Sequence, residues 1–182
     1  MVVDGSRRGR ARIGRGWPCL FAVLVSTAAG GVDRANSGIT SLEQLVGMGP
    51  AQLDQIYRQA VPGVTPEGRV KGRALLFPGK KLAGPASGMA RVFWQGKVFR
   101  SEDSTAVNRF LGMRVIRGRI YQGPSWLDGR PSMILDYQGT SRVYGKNRDE
   151  IRQIAPGLYL GLMYARTAPQ PTKTMYFALD AR

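Results

Sequence analysis

Residues 113–137 read MRVIRGRIYQGPSWLDGRPSMILDY, and the class of fold turns on this stretch. In Met113–Tyr121, Ile116, Gly118 and Ile120 fall on one face of an extended chain, and Arg117, Arg119 and Tyr121 fall on the other. Alternation of that kind predicts a strand with one dry and one wet face. Ser132–Tyr137 is a second, more apolar strand, and Asp128-Gly129 between the two carries the strongest short hairpin signal. The pair is therefore expected to be antiparallel.

The same grammar extends in both directions. Arg69–Phe77 (RVKGRALLF) predicts a strand whose wet face carries Arg69, Lys71 and Arg73, ending at Pro78-Gly79. Short strands are expected at Lys97–Phe99 and Ala106–Phe110, an extended segment at Arg148–Ile154, and strands at Leu158–Ala165 and Lys173–Ala181. Helical spacing is confined to three places. Ser41 and Gln44 have capping-box spacing over a turn ending at Val46. After Pro50, Leu53, Ile56, Tyr57 and Ala60 make one apolar face, expected to close one end of a sheet. Met89, Val92 and Phe93 suggest a short helix over Pro85–Trp94. Gly supplies 24 of 182 residues, nearly double the ordinary share of about 7%, and lies between apolar runs as turns and close approaches. The expected fold class is mainly β with one or two short helices (α+β), an antiparallel barrel or sandwich with the helices at its open end.

The amino terminus reads differently. Arg7, Arg8, Arg10, Arg12 and Arg15 face one acid, Asp4, and Trp17–Val32 then runs sixteen residues without a charge. A basic region, an apolar run and small residues at its end describe a secretory signal peptide, with cleavage expected after Ala29. A retained signal anchor is the alternative, although the run is short of the ~20 residues that span a bilayer. Residues 30–40 then read as a flexible leader and 41–182 as one β-rich domain, exported to the periplasm, cell envelope or medium. Cys19 is the only cysteine and lies inside the apolar run, and the chain has no His. The exported domain would lack a thiol, the commonest metal ligand and the commonest general base, so no metal site, cofactor or catalytic residue is assigned.

Beyond Ala29 there are 22 basic and 11 acidic residues, and residues 67–122 alone hold 12 and 3. Such a field favours anionic partners, a membrane surface or an acidic cell-wall polymer. Export argues against nucleic acid, and no nucleic-acid-binding motif is visible. The basic surface is assigned to Arg69, Lys71, Arg73, Lys97, Arg117 and Arg119.

Gly68-Arg69-Val70-Lys71-Gly72-Arg73 resembles the opening motif of the bacterial proteins named for a GXWXG element, with Val70 standing where that family has Trp. Trp94-Gln95-Gly96-Lys97-Val98-Phe99 is similar to its W-x-G-K-x-F stretch, and Met133–Tyr137 to its M-x-Y-D strand. Leu160–Met163 and Tyr176–Leu179 resemble its last two strands, so the likeness runs over residues 67–182. It implies a lipocalin-like β-barrel or a strongly curved sheet, and no activity or catalytic residue.

Trp94, Tyr121, Trp126, Asp136, Tyr137 and Arg148 are the candidate ligand-binding residues, aromatic walls around a carboxylate and a cation; core packing is the other role open to the aromatics. Asp136 needs a partner if buried, and Arg148 and Arg152 are the candidates. Asp149 and Glu150 are adjacent and should point to opposite faces. The leading expectation is a non-catalytic binder of a small apolar or amphipathic ligand, with basic rims favouring an anionic head group. The alternative is an envelope protein that sits on anionic lipid or polymer without a cavity, and the third is a hydrolase-type enzyme without His. A cavity of at least ~300 Å³ separates the first from the second.

Overall fold

The computed structural model describes residues 38–182; the expected export segment, 1–29, and most of the expected leader, 30–37, lie outside the described residues. Eight strands run in chain order around a closed barrel: β1 (Gly68–Leu75), β2 (Trp94–Arg100), β3 (Thr105–Phe110), β4 (Met113–Pro124), β5 (Pro131–Asp136), β6 (Asn147–Ala155), β7 (Leu158–Ala165) and β8 (Thr172–Asp180). Every neighbouring pair is antiparallel, and β8 returns to β1 with Ala74 opposite Phe177. Closure removes the unpaired edges that an open sheet would present. Three helices accompany the barrel: α1 (Leu42–Val46), α2 (Pro50–Gln59) and α3 (Ala83–Phe93).

Period-two alternation sorts the wall residues into two cores. The inner one draws on all eight strands, with Val70, Phe99, Ala106, Met133, Leu135, Ile151 and Leu179 filling one half of the lumen. The outer one is covered by α1 and α2. Leu53 and Tyr57 of α2 lie fully buried against the outward side chains of β6–β8, among them Leu158, Leu160 and Leu162. Each such burial contributes about 1.5–3 kcal/mol. The apolar face read at Leu53, Ile56, Tyr57 and Ala60 thus packs on the barrel's flank and does not close its end. The expected caps form: Ser41 N and Thr40 N donate to Gln44 Oε1, and Pro50 opens α2.

Arg152 fastens that flank. It is completely buried, and its guanidinium donates to Asp128 through both terminal nitrogens (2.8 and 2.7 Å), to Tyr57 O and to Arg130 O (3.0 Å each). Asp128, noted in the sequence for its turn chemistry, is the counter-ion that ties the β4–β5 connection to β6. Arg152 holds its carboxyl below the usual range.

At the other side of the lumen α3 crosses the barrel mouth. Ser87 Oγ accepts the Leu76 N–H (3.1 Å), pinning the helix to the end of β1. Met89, Val92 and Phe93, which mark this helix in the sequence, are 68%, 62% and 55% exposed. The buried positions of α3 are the small ones, Ala83 and Ser87.

Candidate functional site

Beneath α3 the lumen is open. A cavity of about 490 Å³ lies between the helix and the filled half of the barrel. Its walls are Leu76, Ala86, Ala90, Phe110, Met163, Met175 and Phe177, with Phe77, Met89 and Phe93 at the rim. Unbranched, polarisable Met side chains fit irregular apolar guests. Gly161 faces inward, where a Cβ would come within 2.1 Å of the Phe177 ring, so its missing side chain is what admits that ring to the lumen.

The floor is polar. Lys97 Nζ donates to Asp149 Oδ2 (2.8 Å), Asn108 Oδ1 (2.8 Å) and Tyr137 OH (3.0 Å). Tyr137 OH donates to Asp149 Oδ2 (2.6 Å), and Trp94 Nε1 donates to Asn108 Oδ1 (3.0 Å). Asn108 Nδ2 reaches Tyr137 OH (2.9 Å) and Ile116 O (3.3 Å). The ammonium also lies 5.1–5.7 Å from the ring centres of Trp94, Tyr137 and Phe177. Lys97 and Asp149 expose only 2% and 3% of their side chains. Burial pushes the Lys97 ammonium below its ordinary value, against the pull of Asp149. Burial, then the Asp149 charge, pushes the Tyr137 phenol well above its own.

Local backbone irregularities deliver these groups. The register between β2 and β3 slips between Trp94 and Gly96, so Gln95 is an extra residue. Gly96 adopts φ +111°, and a Cβ there would lie 2.2 Å from Val70 O. Only glycine fits. The bulge shifts the alternation by one, so Trp94 and Lys97, three apart, both face inward. A second slip inserts Ile116 into β4 at φ +63°, a costly conformation for a β-branched residue, and turns its carbonyl to Asn108.

The structure corrects the basic-surface assignment at Lys97. It lies in the lumen, paired to Asp149, because the bulge at Gln95 reverses the face that simple alternation gives it. Arg69, Lys71, Arg117 and Arg119 are exposed, and Arg73 is half-buried beside Glu43 (3.1 Å).

The six candidate ligand residues divide between two places. Trp94 and Tyr137 line the cavity. Tyr121, Trp126, Asp136 and Arg148 meet on the outer wall instead: the strand positions of Tyr121, Asp136 and Arg148 alternate away from the lumen, and Trp126, in the β4–β5 connection, packs against the outer core. There Tyr121 OH (3.1 Å) and Arg166 (2.6 Å) donate to Asp136, while Arg148 and Arg166 stack near Trp126 at 4.3 and 5.2 Å. Neither expected partner of Asp136 pairs with it. Arg148 turns to Glu150 (3.3 Å) and Arg152 to Asp128. Asp149 and Glu150 do take opposite faces, Asp149 inward and Glu150 outward to Ser125 Oγ (2.5 Å) and the Trp126 N–H (2.8 Å).

A crystal structure of a protein from Thermomonospora curvata aligns over 74% of this chain and 88% of its own, with 21% sequence identity and a TM-score of 0.47. No family model and no curated protein matches the chain.

Proposed function

We propose that the barrel is a non-catalytic binder of a small, mainly apolar ligand, taken up beneath α3. The observation that carries this reading is the 490 Å³ apolar cavity with a desolvated polar floor, a volume within the range of about 300–1,000 Å³ typical of small-molecule sites. Lys97 supports the absence of catalysis, because all three of its N–H bonds are engaged and no lone pair faces the cavity. In this reading the export segment delivers the barrel to the envelope. The kinship with GXWXG-type proteins belongs to the same proposal, since Gly72 of the motif packs directly on Gly96 and Trp94 at the cavity floor. The test is uptake of a neutral apolar dye, N-phenylnaphthylamine, by the full chain. Fluorescence should rise to saturation at one equivalent, and Ala90→Phe, which fills the cavity from α3, should abolish the rise. Equal uptake by the filled variant would remove the cavity as the binding site.

A second reading concerns the rim. Phe77, Leu82, Met89, Val92, Phe93 and Leu111 are all more than half exposed around α3 and the neighbouring β3–β4 turn. Leu111 holds φ +49° at the tip of that turn, and its N–H donates to Phe93 O (2.9 Å). Lys80, Lys81 and Arg91, neighbours of these residues in the chain, are exposed as well. An apolar patch with neighbouring cations suits an anionic bilayer surface, with the mouth facing the lipid from which a ligand would come. Anionic liposomes should sediment the protein, neutral ones should not, and salt should weaken the association. Equal sedimentation with both, or with neither, would remove this reading.

A further inference from the structure

The floor of the cavity is a closed hydrogen-bond account except at one atom. Lys97 uses three donors, Tyr137 OH donates once and accepts twice, and Asn108 uses both donors while its oxygen accepts twice. Asp149 Oδ2 accepts from both Lys97 and Tyr137. Asp149 Oδ1 is buried and has no hydrogen-bond partner among the described residues. Asp149 lines the cavity. A buried carboxylate oxygen without a donor is costly, so an occupant of the cavity that brings a donor to this wall is favoured over one that brings none.

Three kinds of head group can be weighed. A carboxylate or phosphate would bring acceptor oxygens against an acceptor and give the neutral Lys97–Asp149 pair a net negative charge out of water. An ammonium would donate to Oδ1 but would place a second buried cation beside Lys97. A neutral hydroxyl donates to Oδ1 and leaves the net charge at zero, which is the arrangement a low-dielectric site favours.

We propose that the ligand is an apolar molecule carrying one neutral hydrogen-bond donor, an alcohol in its simplest form, whose hydroxyl donates to Asp149 Oδ1 while its chain lies among Phe110, Met163, Met175 and Phe177. This rests on the reading of the barrel as a binder and replaces the anionic head group expected from overall charge. The basic residues bear on the protein's surroundings; the cavity itself is electrically neutral.

The experiment compares four probes of one chain length, decanol, decyl methyl ether, decanoate and decylamine, by calorimetric titration of the full chain. Decanol should bind roughly tenfold or more tightly than the ether, which keeps the oxygen and loses the donor. Decanoate and decylamine should both bind more weakly than decanol. In the Lys97→Met, Asp149→Leu double variant, which exchanges the ion pair for apolar groups, decanol and ether should bind equally. Decanoate or decylamine binding as tightly as decanol would overturn the head-group inference and leave the cavity reading standing. So would equal binding of alcohol and ether to the unaltered protein. Binding of none of the four would overturn the cavity reading, and the head-group inference with it.

Discussion

Replacing Lys97 by Met tests whether the floor of the cavity is as desolvated as its geometry indicates. Met keeps most of the stem volume, so little of the loss comes from a new void. The change removes the ammonium 2.8 Å from Asp149 Oδ2 and two further donations, to Asn108 Oδ1 and Tyr137 OH. At 2.8 Å and an effective dielectric of about 20, the gross attraction is roughly 6 kcal/mol. Part of that is offset because Lys97 no longer has to be taken out of water. Asp149 keeps a single donor, Tyr137 OH at 2.6 Å, and stays 3% exposed. An uncompensated buried charge of this kind costs about 3–5 kcal/mol. The expected result of urea unfolding followed by circular dichroism is a loss of that size. The Lys97→Met, Asp149→Leu double variant should recover to within about 1–2 kcal/mol of the parent, because removing both charges removes the desolvation penalty as well. A loss below about 1 kcal/mol in the single variant would refute the reasoning, since it would place the pair in the solvent-screened class.

Gly96→Ala should be among the most damaging small substitutions in the chain, because the added Cβ meets Val70 O and φ +111° excludes it; a cost of about 1–3 kcal/mol or more is expected in the same unfolding assay, and an unchanged midpoint would refute the bulge. Gly161→Ala presses on the Phe177 ring and should cost about 1–3 kcal/mol while shrinking dye uptake, which a thermal melt and the uptake titration would read together. Asp128→Asn should destabilise the flank by about 1–3 kcal/mol at neutral pH through Arg152. Arg152 depresses the folded-state pKa of Asp128, so that contribution is present above the ordinary carboxylate range and is lost as pH falls through the depressed value. The gap between parent and variant should therefore close on acidification, and a gap that persists at low pH would refute the assignment.

Strand positions were legible because alternation is a local property. Ile116, Gly118 and Ile120 inward with Arg117, Arg119 and Tyr121 outward is what β4 shows, and Leu158–Ala165 is β7 to the residue. The hairpin at Asp128-Gly129 was legible as a reversal, although the connection spans the six residues between Pro124 and Pro131, which pair with each other. Closure into a barrel depends on β8 meeting β1 across a hundred residues, and nothing local reports it. The placement of α2 was missed for the same reason. Its apolar face announces a partner without saying which surface, and the outward side chains of β6–β8 are apolar enough to receive it.

The site was harder to read because a barrel has two apolar faces wherever helices cover its outside, so an aromatic or a carboxylate in a strand can point either way and be buried. Tyr121, Trp126, Asp136 and Arg148 share a flank, whereas Trp94 and Tyr137 share the lumen, and composition does not separate the two groups. One extra residue decides the functional outcome. Without the bulge at Gln95, alternation from Trp94 would point Lys97 to solvent and leave Asp149 uncompensated inside. The signal that could have found it was Gly96 within Trp94-Gln95-Gly96-Lys97, because a lone glycine in a strand marks a bulge or a close backbone approach, and here it marks both. With Lys97 inside, the neighbouring pair Asp149 and Glu150 acquires separate tasks: one neutralises the cavity floor, and the other receives the Trp126 N–H on the flank. The folding of the outer wall and the chemistry of the lumen are thus set by adjacent residues of one strand.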